Sequence, residues 1–522
     1  MRRLAAFLGI LVAASIVAGC TSQQPGAPNA SGTPSAAPSA SITPFPVPST
    51  SLPEPTTLAG YYAQHLDWVP CETYFECSWL VVPVSYADPG GQRFALPVIK
   101  LPAADPKEQI GALVVNPGGP GESGLLYALG ARSGEFTQAV LNRFDIVSFD
   151  PRGVNDSYPA LRCTTGQELD QINEAGGFPM TGRSLASEIA ASKLYASKCE
   201  QNAGSLLPYM GTANSAKDMD ILRAALGESR LTYLGKSYGT ILGASYAQQF
   251  PSHVRALVLD GAVDPSLTGL SADITQAEGF EDAFGQFTDW CVTQSACPFG
   301  KDAASAVGVV GGLLVKATDH PLKVALAGDD QQADGSMLLS GIVAALYSKQ
   351  EWPVLETALS QAEDGNGTQL LELANDLLER LPDGTYSNLA DVLTSVDCVD
   401  RPWPKSMSAY QTAAKEAAKV APIFGTAEVW GSLTCAYWPV PASPVRVKVT
   451  GTPPILVVGD LHDPATPYEW AQALTKDIAS GVLLGWNGEG HTSYMEGSTC
   501  VNDAVDSYLI DLRTPRRGTI CS

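Results

Sequence analysis

Ser237 lies in a pentapeptide that can turn a weak hydroxyl group into a nucleophile. The segment Gly235-Lys-Ser-Tyr-Gly239 follows the apolar, β-prone run 231–234 and precedes the small-residue helical run 241–249. Strand, tight turn and helix in this order describe a nucleophile elbow, which holds the serine in a strained backbone conformation and requires very small residues two positions before and after it. The two glycines meet that requirement. A plain Gly/Ser turn remains the alternative until a base and an acid are found.

A serine hydroxyl needs a base that takes its proton. The chain has five histidines, namely His65, His253, His320, His462 and His491. His491 lies in the Gly-rich segment 487–492, just after the β-prone run 481–485, and in hydrolases with such an elbow the histidine follows the last strands. His462 is the one competitor; the first two are expected at the surface and His320 in a helical region. We predict that His491 is the general base.

Three aspartates compete to orient that base. Asp460 and Asp463 follow the apolar run 454–459, and Asp260 ends the earlier run 254–260. A triad acid is buried and hydrogen-bonded to the imidazole. A proline turn follows Asp463 directly and would fix its position, which favours Asp463 over Asp460 and places Asp260 third.

A Gly-rich loop, Pro117-Gly-Gly-Pro-Gly-Glu-Ser-Gly124, follows the buried β-prone run 111–116. Such a loop lets backbone N–H groups approach a ligand closely. Phosphate binding is one alternative, but no G-K-[ST] signature follows the loop; a plain turn is the other. In serine hydrolases a loop at this place supplies one donor of the oxyanion hole.

The elements that must position these residues alternate along the chain. The β-prone runs cover residues 78–85, 94–101, 111–116, 144–149, 231–234, 254–260, 454–459 and 481–485. Strands alternating with helices predict a mainly parallel sheet covered on both faces. Between about 266 and 430 amphipathic helical patterns dominate. We therefore predict an α/β-hydrolase fold whose core, 57–265 and 431–522, is split by a helical cap at 266–430.

Asp150 and Arg152 follow the β-prone run 144–149 and attract notice because both are charged. We interpret them as structural, as an ion-paired turn beneath the site.

Composition and the N-terminal segment predict where the protein works. The 522 residues carry a net charge of −22, which makes nucleic acid an unfavourable partner. Residues 1–20 have the form of a signal peptide, and Val17-Ala-Gly-Cys20 resembles a bacterial lipobox, which would place a lipid on Cys20. An ordinary signal peptide cut near Ala18 is the alternative. The Pro/Ser/Ala-rich stretch 21–56 predicts a tether. We expect an exported monomer, held at the outer face of the bacterial membrane only through this lipid.

Cysteine number agrees with export. Eleven cysteines less the lipidated one leave ten, an even number. Pairing neighbours along the chain gives Cys71–Cys77, Cys163–Cys199, Cys291–Cys297, Cys398–Cys435 and Cys500–Cys521. A metal site is the rival interpretation, but the C-x5-C spacings and the scarcity of histidine oppose it. We expect neither metal nor organic cofactor.

Several motifs occur in one order along the chain: Asn116-Pro-Gly-Gly-Pro-Gly, Phe149-Asp-Pro-Arg-Gly-Val, Leu234-Gly-Lys-Ser-Tyr-Gly-Thr, Val258-Leu-Asp-Gly, Asp463-Pro-Ala-Thr-Pro and Gly490-His491. From about residue 70 to the C-terminus this order resembles the secreted tripeptidyl-aminopeptidase group of the proline-iminopeptidase-like α/β-hydrolases. The resemblance implies Ser237 as nucleophile, Asp463 as acid and His491 as base. It further implies the N–H groups of Gly119 and Tyr238 as oxyanion donors.

Two positions depart from the pattern of that group. Asn155-Asp156-Ser157 stands where Gly and Arg usually precede the serine, and Lys236 stands beside the nucleophile where Gly or Glu is common. The first departure concerns a peripheral loop, and the second alters local charge.

The resemblance implies a serine peptidase that trims peptides from a free N-terminus. Such an enzyme must pair the substrate ammonium group with a carboxylate, for which Glu278, Glu281 or Asp282 of the cap are candidates, with solvated cap surface as the alternative. Two other functions stay open: a carboxylesterase acting on short-chain esters, and a peptide-binding lipoprotein without catalysis. A small ester or a peptide is thus the expected substrate.

Overall fold

The computed structural model describes residues 52–325 and 331–522. The signal peptide, Cys20 and most of the tether predicted from the sequence lie outside the described residues. Within the described ranges, none of the helices combines the length and the apolar character that crossing a bilayer requires.

One sheet organises the described chain. Its strands are β1 Val69–Pro70, β2 Glu76–Pro83, β3 Arg93–Leu101, β4 Gly111–Asn116, β5 Phe144–Phe149, β6 Leu231–Lys236, β7 Val254–Asp260, β8 Ile455–His462, β9 Gly481–Glu489 and β10 Thr519–Cys521. They lie in the order β1-β2-β3-β5-β4-β6-β7-β8-β9-β10. Pairing is antiparallel among β1, β2, β3 and β5, and parallel from β5 through to β10. The predicted mainly parallel sheet is confirmed.

Helices surround the sheet and fill the interval between β7 and β8. Their bounds are α1 Leu58–Tyr62, α2 Gly124–Leu129, α3 Gln138–Arg143, α4 Gly166–Asn173, α5 Gly182–Ala203, α6 Thr212–Ala225, α7 Tyr238–Gln249, α8 Gly269–Cys291, α9 Ala306–Asp319, α10 Gly335–Leu346, α11 Trp352–Glu363, α12 Thr368–Leu377, α13 Leu389–Asp400, α14 Met407–Val420, α15 Gly425–Gly431, α16 Tyr468–Asp477 and α17 Thr499–Asp511. The segment from α8 to α15 lies where the helical cap was predicted.

Alternation along the strands explains why helices cover both faces of the sheet. Val114 and Val147 pack into one hydrophobic cluster, whereas their neighbours Leu113 and Ile146 pack into another. Side chains of a strand point alternately to opposite faces, so continuous apolar runs such as β4 need cover on both sides. The cap has a separate core, in which Phe280, Phe284 and other apolar side chains are buried.

Strands β8 and β9 run further than their apolar runs predict. β8 extends to His462 and β9 to Glu489, and the extensions pair with each other through Asp460 and Trp486 and through His462 and Glu489. The extensions contain polar residues, so they do not continue the apolar pattern from which the strands were predicted. Backbone pairing therefore carries β8 and β9 as far as the segments that hold Asp463 and His491.

Five disulfides cross-link the described chain, and they join the same cysteine pairs that the sequence analysis expected. The Cys500–Cys521 bond holds the short edge strand β10 to α17. The Cys398–Cys435 bond ties α13 of the cap to the segment that leads back to the core.

Arg152 and Asp150 lie in a buried turn after β5, as predicted, but their partners differ from a simple pair within the turn. Arg152 binds Asp218 of α6 through two hydrogen bonds of 2.7 and 2.8 Å. Asp150 instead accepts a 2.7 Å hydrogen bond from the Ser123 hydroxyl. The turn is structural, and its ion pair reaches across to a helix.

Candidate active site

Ser237 occupies the sharp turn between β6 and α7. Its backbone has φ 54° and ψ −126°, a conformation that residues with side chains rarely adopt. A Cβ atom on Gly235 would lie 2.4 Å from the carbonyl oxygen of Gly239. One on Gly239 would lie 2.9 Å from Oδ1 of Asn116. Only glycine fits at either position, which is the requirement on which the elbow prediction rested.

The Gly-rich loop after β4 packs directly against the elbow. A Cβ atom on Gly118 would lie 2.8 Å from Cβ of Ser237 and 3.2 Å from the backbone nitrogen of Tyr238. The next residue, Gly119, has φ +100°. The two segments that carry the predicted oxyanion donors, Gly119 and Tyr238, are therefore neighbours, and glycine allows this close approach.

Asp463 and His491 are hydrogen-bonded. The Nδ1 atom of His491 lies 2.8 Å from Oδ1 and 3.0 Å from Oδ2 of Asp463. The carboxylate is fixed in turn by the N–H groups of Ala465, at 2.9 Å, and Thr466, at 2.8 Å, which belong to the turn after β8. The N–H group of Thr492 donates a further 3.1 Å bond. Geometry thus selects Asp463 among the three aspartates.

Asp460 and Asp260 support the same region without bonding the imidazole. Asp460 accepts hydrogen bonds from the N–H groups of His462, at 3.1 Å, and Gly488, at 3.3 Å. Asp260 accepts from the N–H groups of Ser493, at 3.0 Å, and Tyr494, at 2.9 Å. Asp260 therefore pins the backbone just beyond His491.

The imidazole of His491 lies beneath the cap, close to the end of β7. Its Cε1 atom would lie 3.3 Å from a Cβ atom placed on Gly261. Its ring packs edge-on against Tyr347, with centroids 5.4 Å apart, and its backbone N–H donates to the Tyr347 carbonyl at 2.8 Å. Within the described residues no hydrogen bond joins the Ser237 hydroxyl to this ring; such bonds are often long in free enzymes and tighten when substrate binds.

Sequence reasoning missed two residues that hold this arrangement. The Thr466 hydroxyl donates a 2.9 Å bond to Oδ2 of Asp463 and lies 3.4 Å from Nδ1 of His491. Tyr347 comes from the cap, more than a hundred residues away in the sequence. Thr466 was visible in the motif that follows Asp463, but no pattern in the sequence gives a side chain's orientation.

The other histidines lie outside this arrangement. Nδ1 of His462 is 2.8 Å from Oδ2 of Asp282, which lies on α8 of the cap. Nδ1 of His253 is 2.8 Å from Oδ1 of Asp220, so this residue is only partly at the surface. His65 and His320 are exposed. The competitor His462 links cap to core and does not approach the elbow through any of these bonds.

Electrostatics favour the charged form of His491. Burial alone would lower the pKa of this imidazole, but the carboxylate of Asp463 and its hydrogen bond act in the opposite direction, as do the charges of Asp260 and Glu122. The net result is a pKa above the ordinary value of 6.5. A proton taken up by Nε2 would therefore be stabilised.

This shift predicts the pH dependence of turnover. A general base must be neutral to accept a proton, so kcat/KM should fall as His491 is protonated, with an acid-side midpoint above about 6.5. A pH series of kcat/KM on an activated ester measures it. The variant His462→Gln is the control and should keep the same midpoint. A midpoint at or below that of a free imidazole would contradict the electrostatics described here.

The fold and the elbow define an α/β-hydrolase, and the comparisons with known proteins identify it as a serine hydrolase. The family described as "TAP-like protein" matches residues 421–521. Serine protease Hip1 of Mycobacterium tuberculosis H37Rv is 38% identical over 477 residues, which cover 88% of this chain and 91% of that protein. Carboxylesterase B of the same organism is 35% identical over 456 residues, covering 85% and 86%.

A third relative, the tripeptidyl aminopeptidase of Streptomyces lividans, is 32% identical over 475 residues, covering 88% of this chain and 86% of that protein. The chain belongs to the TAP-like family of α/β-hydrolases.

Proposed function

We propose that this protein is a serine exopeptidase that removes short peptides from a free N-terminus, held outside the cell by a lipid on Cys20. Ser237 is the nucleophile, His491 the general base and acid, and Asp463 the group that orients the imidazole. The observation that carries the chemistry is the strained elbow of Ser237, together with an imidazole whose Nδ1 is bound by a buried carboxylate.

The reaction proceeds in two halves. His491 takes the Ser237 hydroxyl proton as Oγ bonds to the substrate carbonyl carbon, and the same proton then passes to the leaving amine as the C–N bond breaks. The shortened peptide leaves as this amine. Water then attacks the acyl-enzyme in the same way, which releases the removed N-terminal fragment as a free acid and restores Ser237. Asp463 holds Nδ1–H throughout, so that Nε2 faces the reacting atoms.

Negative charge collects on the substrate oxygen in each half. The N–H groups of Gly119 and Tyr238 are the proposed donors, and the packing of Gly118 against Tyr238 supports their convergence. Fixed donors of this kind each contribute about 3–4 kcal/mol to the transition state of comparable enzymes.

A group of acidic side chains in the cap supports recognition of a substrate cation. Asp273 lies on α8, Asp397 on α13 and Glu428 on α15. Burial raises the pKa of Asp273, and the charges of Glu428 and Asp397 raise it further. Neither Glu428 nor Asp397 has a side-chain hydrogen-bond partner among the described residues, and burial raises the pKa of Glu428 to about 7. An incoming ammonium group would stabilise the ionised form of these carboxylates.

A buried hydroxyl group close to Asp273 is a second sign of a ligand. Tyr410 is fully buried and its hydroxyl lacks a partner within the described chain. Burial raises the pKa of this hydroxyl, and the charge of Asp273 raises it further. A buried polar group without a partner is costly unless a ligand or water satisfies it.

The acidic group lies near the proposed catalytic residues. After burial, the charge of Glu428 is the next cause that raises the pKa of Tyr347, whose ring contacts His491. The charges of Asp400 and Asp397 likewise add to burial in raising the pKa of Tyr238, the residue after the nucleophile. Two of the three candidates proposed from the sequence serve elsewhere: Glu281 accepts from the N–H group of Ile423, and Asp282 binds His462. The third, Glu278, is exposed on α8.

Paired substrates test the proposed activity. Tripeptide p-nitroanilides with a free amino group should be cleaved with higher kcat/KM than their N-acetylated counterparts, because acetylation removes the cation. A short-chain p-nitrophenyl ester series is measured beside them. Efficient ester cleavage without any amide cleavage would contradict the peptidase proposal and indicate a carboxylesterase, the activity in the name of one relative. No reaction with a fluorophosphonate probe would leave only a binding protein.

Glu428→Gln separates recognition of the amino group from the chemistry. We expect kcat/KM on free tripeptide substrates to fall about 10- to 100-fold, since a charge-assisted bond contributes about 1.5–3 kcal/mol. Esters should be cleaved at the rate of the unsubstituted enzyme. Glu416→Gln, on the exposed side of α14, is the matched control. An equal loss on peptides and esters would contradict a role in recognising the ammonium group.

A further inference from the structure

The lysine that precedes the nucleophile points away from solvent towards the segment that follows His491. Lys236 is the last residue of β6 and is only 5% exposed. Its Nζ atom donates to the carbonyl oxygen of Tyr494 at 3.1 Å and lies 3.8 Å from Oε1 of Glu496. The nucleophile strand is thereby joined to the loop that carries the imidazole.

The neighbouring strand holds the same loop with the opposite charge. Asp260, at the end of β7, accepts from the N–H groups of Ser493 and Tyr494. Its backbone oxygen also accepts a 2.8 Å bond from the N–H group of Ser237. Lys236 therefore binds a carbonyl group of the segment 493–496, and Asp260 binds two of its N–H groups. Lys236 and Asp260 are paired directly across β6 and β7.

Charge balance gives Lys236 a second effect on the imidazole. The charged groups that act on His491 are Asp463, Asp260 and Glu122, all of them acids. Burial raises the pKa values of Asp260 and Glu122, and the ammonium group of Lys236 opposes that rise in both. A permanent cation here offsets part of the field of those acids at His491.

We propose that Lys236 is a positioning residue for the reaction assigned above: its ammonium group ties the nucleophile strand to the histidine loop and counterbalances the carboxylates around the imidazole. This inference depends on the proposed function. The role explains why a charged side chain can stand next to the nucleophile, because the ammonium group of Lys236 faces the segment after His491 and not the substrate.

The test compares the pH profile of kcat/KM for the full-length enzyme with that of Lys236→Met and Lys236→Arg, using an activated ester. Removing the cation leaves the acids around His491 unbalanced, which stabilises the imidazolium form. We expect the acid-side midpoint of Lys236→Met to move to higher pH by about 0.5–1 unit, with a kcat about tenfold lower. Lys236→Arg keeps the charge and should keep the midpoint of the unsubstituted enzyme.

Two further variants make the outcome decisive. Lys448→Met removes a lysine that is 78% exposed and should change neither midpoint nor kcat. If Lys236→Met does not fold, Lys236→Gln retains a donor for the Tyr494 carbonyl group and should show the same shift. If a folded variant without the charge kept the acid-side midpoint of the unsubstituted enzyme, Lys236 would have only a packing role and the inference would be overturned. Labelling of Ser237 by a fluorophosphonate is measured in the same preparation. If Ser237 reacts, the proposed function stands and only the role of Lys236 fails; if it does not react, the proposed function itself fails.

Discussion

Ser237→Ala lowers kcat/KM by about 10⁴- to 10⁶-fold, the range found when the nucleophile of a catalytic triad is removed. The substitution deletes one atom from a half-buried side chain whose hydroxyl bonds to no described residue. The backbone bond from Ser237 to Asp260 and the contacts of the two flanking glycines remain. Activity should therefore be lost while the thermal unfolding transition stays in place.

Ser245→Ala provides the matched control, since this residue lies on α7, the helix that begins at the elbow. Among residues 52–325 and 331–522, its hydroxyl has one hydrogen-bond partner, the Gln249 side chain, which donates to it at 3.2 Å. This variant should keep most of its activity and react with a fluorophosphonate, whereas Ser237→Ala should not react. Hydrolysis that survives in a purified Ser237→Ala preparation would remove the basis of the proposed mechanism.

Arg152→Leu is expected to destabilise the fold by about 3–5 kcal/mol, because it leaves the carboxylate of Asp218 buried without its countercharge. Both side chains are 0% exposed. The guanidinium group also donates to the carbonyl groups of Val84 and Tyr209, each at 3.0 Å, so these acceptors lose a partner as well. Urea unfolding followed by intrinsic fluorescence measures the change in the free energy of unfolding.

An exposed ion pair supplies the comparison for that experiment. Arg513 and Asp511 are bonded, but their side chains are 72% and 47% exposed. Arg513→Leu should change the free energy of unfolding by less than about 1 kcal/mol. If Arg152→Leu were as mild as Arg513→Leu, the turn after β5 would not be the structural support described here.

Much of the fold could be predicted because its apolar runs are long and well separated. β4, β5 and β7 coincide with the apolar-rich runs 111–116, 144–149 and 254–260, and the glycines around Ser237 reveal the elbow by their spacing. The cap was predictable because strand-like runs stop and amphipathic patterns replace them. These features are local, and local patterns are what a sequence displays most directly.

Contacts between distant segments could not be predicted. Asp460 and Asp463 stand three residues apart after the same strand, and only the turn geometry shows which carboxylate meets His491. Asp273, Asp397 and Glu428 come from three helices of the cap. No periodicity relates such positions. The sequence drew attention instead to Glu278, which is exposed, and to Glu281 and Asp282, which are engaged elsewhere.

The hydrogen bond from the His491 N–H group to the Tyr347 carbonyl oxygen joins the cap to the general base of the active site. A cap that swung clear of the core would carry away the acceptor of that bond and the ring against the imidazole. A bulky substrate that forces the cap open would therefore meet a His491 side chain that has lost both contacts with Tyr347. A narrow peptide end that enters beneath a closed cap would meet an imidazole that keeps both contacts, so we expect turnover to fall as the width of the substrate increases.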